Sequence, residues 1–516
     1  MTNCKWWKYI AMILVVGGTM MFTFLGSQPL LDPDEPVYAE TAREMLQFHD
    51  FISPRIFGDF WYDKPPMYYW LVAAAFKVFG VGEFGARFPS ALLAVSGAVL
   101  IYFSGRRLFN ERAGLLAALV LVTSLEYFYL GNAAVTDMTL TFFLMAALLS
   151  FLHQKYYLLY AFAALAVMTK GPVAIFFCTV IIGLYLVLTG NLKRVRSMKL
   201  ISGMAIFAVI ALPWYGVMYY LHGMDFINTF LGFHNVTRFL QPEHSSGAVF
   251  YYYVPVLLLG FFPWITFLFQ AVWESYREVK EQRRTCLFLL IWAAVVFGFF
   301  SLSQTKLISY ILPMYPPLAL LVGYYYDKIW AEKRGQELRR SAILFGAVAF
   351  LLISGLIVAG RETAEMMPVV KIMAVYVSLL AVFILFQSWR QRFCTVYAGY
   401  ILGMLVFTAL LMTKALPLIV PEVSVKALAS GFQQYYDGQS PVYVAKFYRP
   451  GFMYYSGIAG TEINSKELEG MLHQKGKAYF ILKKKEYDAL SPVLQNKLRV
   501  LDVQKDKISL CSGNDS

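Results

Sequence analysis

Charge is the scarcest ingredient of this 516-residue chain: Asp, Glu, Lys and Arg together make 15% of it, against 59% hydrophobic and 17% aromatic residues. That shortage excludes an ordinary soluble domain, in which about a quarter of the residues carry charge. Cysteine is also thin. Cys4, Cys178, Cys286, Cys394 and Cys511 are scattered, with no CxxC pair and no histidine at metal-ligand spacing, which excludes a disulfide framework and a zinc knuckle. No glycine-rich phosphate loop follows a strand-like run, which argues against a nucleotide-sugar donor. Low-complexity tracts, repeats of fixed period and the inverted hydropathy symmetry of transporters are missing as well.

Apolar runs are what the chain has in abundance. Counting those of spanning length predicts an all-α polytopic membrane protein with roughly thirteen transmembrane helices. The first run, about residues 9 to 26, follows Lys5 and Lys8 and has no small-x-small cleavage site, so it reads as a helix rather than a removable leader. The segment "PPMYYWLVAAAFKVFG" is short, begins with Pro and contains Lys77, which predicts a helix lying in the interface. With that choice every dense basic loop, "GRRLFNER", "NLKRVRSMK", "ESYREVKEQRR", "DKIWAEKRGQELRR" and "WRQR", falls on the cytoplasmic side. The net charge of +13 is therefore read as membrane topology and contact with membrane lipids, and no nucleic-acid partner is expected. The alternation also exports the C-terminal stretch. Its strand-like "SPVYVAKFY" and "KAYFILKK" flank a helix-like "SKELEGMLHQKG", which predicts a small α/β domain over 415–516 after a membrane domain over 1–414 whose first outer loop is 27–86.

The same alternation gathers the isolated polar residues on the outer face: Asp34, Asp63, Lys64, Asp137, Lys170, His234, Arg238, His244 and Lys306. Asp34, in "LDPDEPVYAETAREM", stands where a helix should begin, so a helix N-cap is its plainest role. Val37, Ala42, Met45 and Leu46 would form the apolar side of that helix. Glu35 and Glu40 suit the first turn, where the helix dipole favours carboxylates. Asp137, in "GNAAVTDMTLTFF", opens another helix on the same side, and two converging carboxylates suggest a site rather than two caps. Lys64, Arg238 and Lys306 could cradle a phosphate or pyrophosphate, Arg as a fork and Lys as a point charge. Asp63 beside Lys64 also reads as an exposed ion pair of small worth. Lys170 reads as a residue reaching for headgroups, and Tyr251 to Tyr253 as part of an aromatic belt. A divalent metal held by Asp63 with His234 or His244 is the one cofactor these residues offer.

The ordered set "DPDEPVYAETAREML", "YDKPPMYYWLVAAAFKVFG", "GARFPSALL", "TDMTLTFF", "MTKGPVA", "FHNVTRFLQPEH" and "SQTKLISYILPMYPPLAL" resembles the bacterial lipid-linked sugar transferases of the GT-C fold, from the first helix to about Ala319. Within them it resembles the branch that moves aminoarabinose onto lipid A, and more distantly the protein O-mannosyltransferases. The resemblance implies a multi-pass protein of the bacterial inner membrane with a periplasmic active site. It implies a polyprenyl (undecaprenyl) phosphate sugar donor and a lipid or protein acceptor, with Asp34 at the catalytic position and Asp137 as a second carboxylate. Lys64 and Arg238 would contact the donor phosphate, joined by Lys306, with Glu35, Asp63, His234 and His244 in support. The chain departs from the family pattern at Asp63, often Glu, at Leu307–Ile308, where "KLP" is usual, and at His234 and Asn235 ahead of Arg238, where the branch has Glu-His. Because charge would develop on a leaving phosphate, fixed cations in a water-poor cleft would stabilise the transition state. A transporter of anionic lipid-linked sugars is the rival class, although it would place charges at mid-membrane.

Overall fold

The computed structural model describes residues 6–237, 249–281, 283–361, 364–471 and 476–512. They form two compact units. One comprises residues 1–23, 62–68 and 88–411, the other residues 24–61, 69–87 and 412–516.

The first unit is helical. Its chain runs through α1 (Trp6–Phe22), and then, after α2 (Asp34–Gln47) and α3 (Met67–Phe79), through α4 (Glu83–Leu108), α5 (Glu111–Val122), α6 (Leu125–Gly131), α7 (Thr136–Leu152) and α8 (Tyr156–Lys170), with further helices beyond. Among the described residues six helices are long and apolar enough to cross a membrane, or eight if α5 with α6 and Tyr253–Gly260 with Ile265–Lys280, bent by 65° and 109°, each count as one span. Five shorter apolar helices, α1, α3, α7, α8 and Val173–Leu188, accompany them. α7 is buried nearly all round, from Thr136 to Phe151, as expected of a helix surrounded by others. It turns through His153–Lys155 into α8, and Gly171, with φ of 79°, ends α8 just before Pro172. Glycine tolerates that left-handed backbone and proline cannot continue the helix, so "KGP" is a local stop signal.

The second unit is built from stretches far apart in sequence. A two-residue hairpin pairs β1 (Arg55–Ile56) with β2 (Asp59–Phe60). Its turn residues, Phe57 and Gly58, both have positive φ, 60° and 84°, as a tight hairpin twist demands. Near the C-terminus β3 (Val442–Ala445), β4 (Thr461–Ile463), β5 (Ala478–Lys483), β6 (Leu498–Gln504) and β7 (Lys507–Ser512) form one sheet in the order β4-β3-β5-β7-β6. β3 is parallel to both β4 and β5, whereas β7 is antiparallel to β5 and β6. Val444, Phe452, Ile481 and Leu510 lie in its fully buried core. Most of the stretch expected as the first outer loop, residues 27–61 and 69–86, thus shares one compact unit with the C-terminal segment from Met412, while residues 62–68 belong to the other unit.

Candidate functional site

Asp34 is the first residue of α2, and Pro33 takes the N-cap position with no side-chain capping bond. The expected N-cap role therefore falls away. Asp34 is left as an exposed carboxylate in the first helical turn, where the dipole favours its charge. The rest of α2 is unusual for a buried helix, because its inward face carries three glutamates as well as Ala39, Ala42 and Met45. Each glutamate has a fixed partner, which is the condition for burying a carboxylate. Glu35 takes a two-pronged contact from Arg87, 2.8 Å from Nε to Oε1 and 2.6 Å from Nη2 to Oε2. Glu40 pairs with Arg43 at 2.6 Å. Glu44 accepts the Gly58 N–H at 3.1 Å. Despite Arg43, burial pushes the Glu40 carboxyl up to about 7.

Arg87 was not among the candidates from the sequence, yet it organises the segment before Asp34. Its guanidinium also donates to the carbonyls of Gln28 and Pro29, both at 2.7 Å, and of Leu25 at 3.3 Å. Glu35, expected to support substrate, is instead committed to Arg87 and to the Leu31 N–H at 2.7 Å. Asp32 is buried too. It accepts the Val425 N–H at 2.8 Å, and desolvation raises its carboxyl to about 8.

In the helical unit, Asp137 and Lys170 form an ion pair at 2.6 Å. The geometry follows from the helix hairpin: Asp137 is in the first turn of α7 and Lys170 in the last turn of α8, so each charge sits at the dipole end that favours it and the antiparallel hairpin brings the ends together. Lys170 thus has a partner inside the protein in place of a lipid headgroup. Its ammonium also stands 4.6 Å from the centre of the Tyr310 ring. Tyr310 begins, with Ile308, the short helix that follows Lys306, and its N–H donates to the Leu307 carbonyl at 3.1 Å. Lys306 is itself buried, donates to the Ser303 carbonyl, and is pulled below the usual lysine range by desolvation. Tyr253, which reads as belt-like in sequence, is fully buried and donates to the Leu307 carbonyl at 3.1 Å.

Asp63 and Lys64 form a pair at 2.8 Å with side-chain exposures of 10% and 12%, so the reading as an exposed pair is replaced by a largely buried one. Just before it, the Tyr62 ring packs 5.3 Å from His222 and 5.8 Å from Phe226. Arg238 and His244 lie outside the described residues. His234 falls in the π-helical turn Asn228–Thr237. Among the described residues no group of three or more His, Cys, Asp and Glu side chains is arranged to hold a metal. The structure thus brings Asp137, Lys170 and the Lys306–Tyr310 loop together in one unit, while Asp34 belongs to the other.

A family model described as dolichyl-phosphate-mannose-protein mannosyltransferase matches residues 63–216, the stretch with both the Asp63–Lys64 and Asp137–Lys170 pairs. Relatives named undecaprenyl phosphate-alpha-4-amino-4-deoxy-L-arabinose arabinosyl transferase include one from Edwardsiella ictaluri, 32% identical over 63% of this chain and 61% of its own length. Another, from Pectobacterium carotovorum, is 31% identical over 67% of this chain and 64% of its own length. The chain thus spans less than two thirds of the length of these relatives. Among solved structures, ArnT from Cupriavidus metallidurans bound to undecaprenyl phosphate superimposes with a TM-score of 0.82 at 22% identity, covering 99% of both chains. An archaeal oligosaccharyltransferase from Archaeoglobus fulgidus follows at a TM-score of 0.56 and 12% identity, covering 94% of this chain and 70% of its own. The chain has the fold of ArnT and is similar in sequence to proteins named as arabinosyl transferases.

Proposed function

We propose that this protein is a membrane glycosyltransferase that moves a sugar from a polyprenyl phosphate donor to a lipid acceptor at the outer face of a bacterial inner membrane. The observation that carries the reading is the full-length fold match to a chain crystallised with undecaprenyl phosphate. The sugar is 4-amino-4-deoxy-L-arabinose, by the names of the relatives, and the acceptor is a glycolipid such as lipid A.

Cleaving a glycosyl phosphate bond leaves a phosphate that gains negative charge. Lys64, Arg238 and Lys306 stabilise it, and burial of Lys64 and Lys306 supports that role because charge contacts are stronger away from water. Asp137, paired with Lys170, acts as a second carboxylate toward the sugar or the acceptor. Asp34 removes the proton of an acceptor hydroxyl in a displacement that inverts the anomeric centre, or orients the acceptor when that group is already a phosphate. Its place in the first turn of α2, at the dipole end that favours a carboxylate, supports this assignment.

Purified protein incubated with a labelled polyprenyl phosphate sugar and a lipid extract should label one lipid class. Asp34→Asn should fold, still bind undecaprenyl phosphate, and lose transfer by about a hundredfold or more. Asn keeps the size of the side chain and removes its charge, so an active Asp34→Asn enzyme at saturating donor would sink this assignment and move the search to Asp137. Lys64→Ala should weaken donor use more than folding. A cysteine placed at Asp59 should react with an impermeant reagent from outside the cell and one at Arg196 should not.

A further inference from the structure

Three consecutive backbone amides just before Asp34 are each held by a different group. The Leu30 N–H donates to the Tyr455 hydroxyl at 2.6 Å, the Leu31 N–H to the Glu35 carboxylate at 2.7 Å, and the Asp32 N–H to the Val423 carbonyl at 2.9 Å. The same junction is tied in reverse. The Ser424 hydroxyl donates to the Leu30 carbonyl at 2.8 Å, and the Asp32 carboxylate accepts from Val425. Two of those three amide partners, and both reverse ties, come from beyond Met412. The residues that provide them are fixed in turn: Lys507, at the start of β7 and 1% exposed, donates to the carbonyls of Pro421 and Glu422 at 2.7 and 2.8 Å, capping the helix Leu416–Val423 with a cation at its negative end. Space is short as well, since a Cβ on Gly451 would stand 2.1 Å from Asp32 Oδ1.

Leu30 and Asp32 are buried, so their amides need protein partners, and the chain supplies those partners from its far end rather than from the loop itself. Tying every amide of a three-residue run removes the freedom of the backbone immediately before the helix start. We propose that the C-terminal segment is a positioning clamp for the Asp34 carboxylate, with Tyr455 and Asp32 as its positioning residues. It holds residues 30–32 so that Asp34 keeps one direction through sugar transfer. This rests on the assignment of Asp34 as the reacting carboxylate. A misplacement of about 1 Å costs on the order of a hundredfold in rate, so loosening the clamp should act on kcat and spare donor binding.

The test uses the full chain in lipid nanodiscs, with hydrogen exchange and transfer measured on the same samples of wild type, Tyr455→Phe and Gly451→Ala. Tyr455→Phe removes the acceptor of the Leu30 N–H and keeps the ring. Gly451→Ala drives the Asp32 carboxylate from its place. Both should speed exchange of the amides of residues 30–32 by about tenfold or more while leaving those of β5 and β7 unchanged. Both should lower kcat by roughly ten- to a hundredfold with the donor KM within about twofold of wild type. Unchanged exchange at residues 30–32 in both variants would show that there is no clamp. Faster exchange with kcat unchanged, or with KM alone altered, would show that the clamp does not serve transfer. Asp34→Asn measured alongside separates the two assignments: if it is inactive while the loosened variants keep their kcat, the clamp inference fails alone, and if it is active, the role of Asp34 fails first and the clamp with it.

Discussion

Asp137 and Asp34 both open helices, yet they are held by different means. Asp137 is fixed by one cation, Lys170, delivered by the neighbouring helix of a simple hairpin. The turn before Asp34 is fixed by Arg87, Tyr455 and the 423–425 backbone, the last two about four hundred residues away in the chain. A helical bundle can place a charge with helix ends alone, because the ends carry partial charges and the hairpin sets their distance. A loop has no such frame. Its geometry has to be imposed by long-range bonds, and that makes it sensitive to changes well away from the carboxylate it presents.

The largest expected effect breaks the loop side of this comparison. Arg87→Ala would leave Glu35 buried without its cation and the carbonyls of Gln28 and Pro29 without their donor, at a cost of about 3 to 5 kcal/mol. Thermal unfolding in detergent should show it as a loss of most of the folded protein, whereas Arg87→Lys should be milder. An Arg87→Ala protein as stable as wild type would mean that the segment before Asp34 is held without it.

Next in size is a pH effect confined to the same unit. Burial raises Asp32 to about 8 and Glu40 to about 7, above the ordinary values of 3.8 and 4.5 that they regain on unfolding. Between those limits the folded state holds protons that the unfolded state has released, so stability contributed by these groups is complete at acid pH and falls as pH rises from about 4 towards 8. Asp32→Asn, which mimics the neutral acid, should flatten that fall. It is checked by unfolding midpoints measured from pH 5 to 9, and an Asn variant with the full wild-type slope would remove Asp32 from the explanation.

The bundle side is tested by Lys170→Met, which strips Asp137 of its partner. The expected loss is about 2 kcal/mol, since a hydrogen bond to a charged group is involved and the pair is only partly shielded. Lys170→Arg should recover most of it. The smallest effect is expected at Lys426, whose pair with Glu83 at 2.6 Å is 42% exposed on the lysine side. Lys426→Met should shift stability by less than about 1 kcal/mol, and the shift should shrink further at high salt.

Much of the bundle was legible because its signals are local. Apolar runs mark the helices, and "KGP" ends α8 with Lys170 in its last turn. "TDM" puts Asp137 in a first turn, whereas the use of Lys170 and the burial of Tyr253 and of the Asp63–Lys64 pair escaped a residue-by-residue reading. The strand-like stretches at Val442–Ala445 and Ala478–Lys483 alternate or run apolar as strands do. Nothing comparable marks Arg87. In "GARFPSALL" it is one arginine near the start of a long apolar helix, and its partner Glu35 lies fifty-two residues upstream.

The sequence by itself therefore determined that the chain is a set of apolar helices with a more polar tail, and that carboxylates and lysines stand at helix ends. These follow from hydrophobic periodicity and helix-terminal chemistry, which act over a few residues and leave their mark in the order of the residues. Tertiary structure alone decided that Glu35 serves Arg87, that Glu40 and Glu44 are buried with partners of their own, and that Tyr455 and Val425 grip the turn before Asp34. A single hydrogen bond adds only about 1 kcal/mol, too little to be selected by local pattern. Which distant donor meets which buried acceptor is settled when the packing of apolar surfaces has brought the segments together and left no water to take either place.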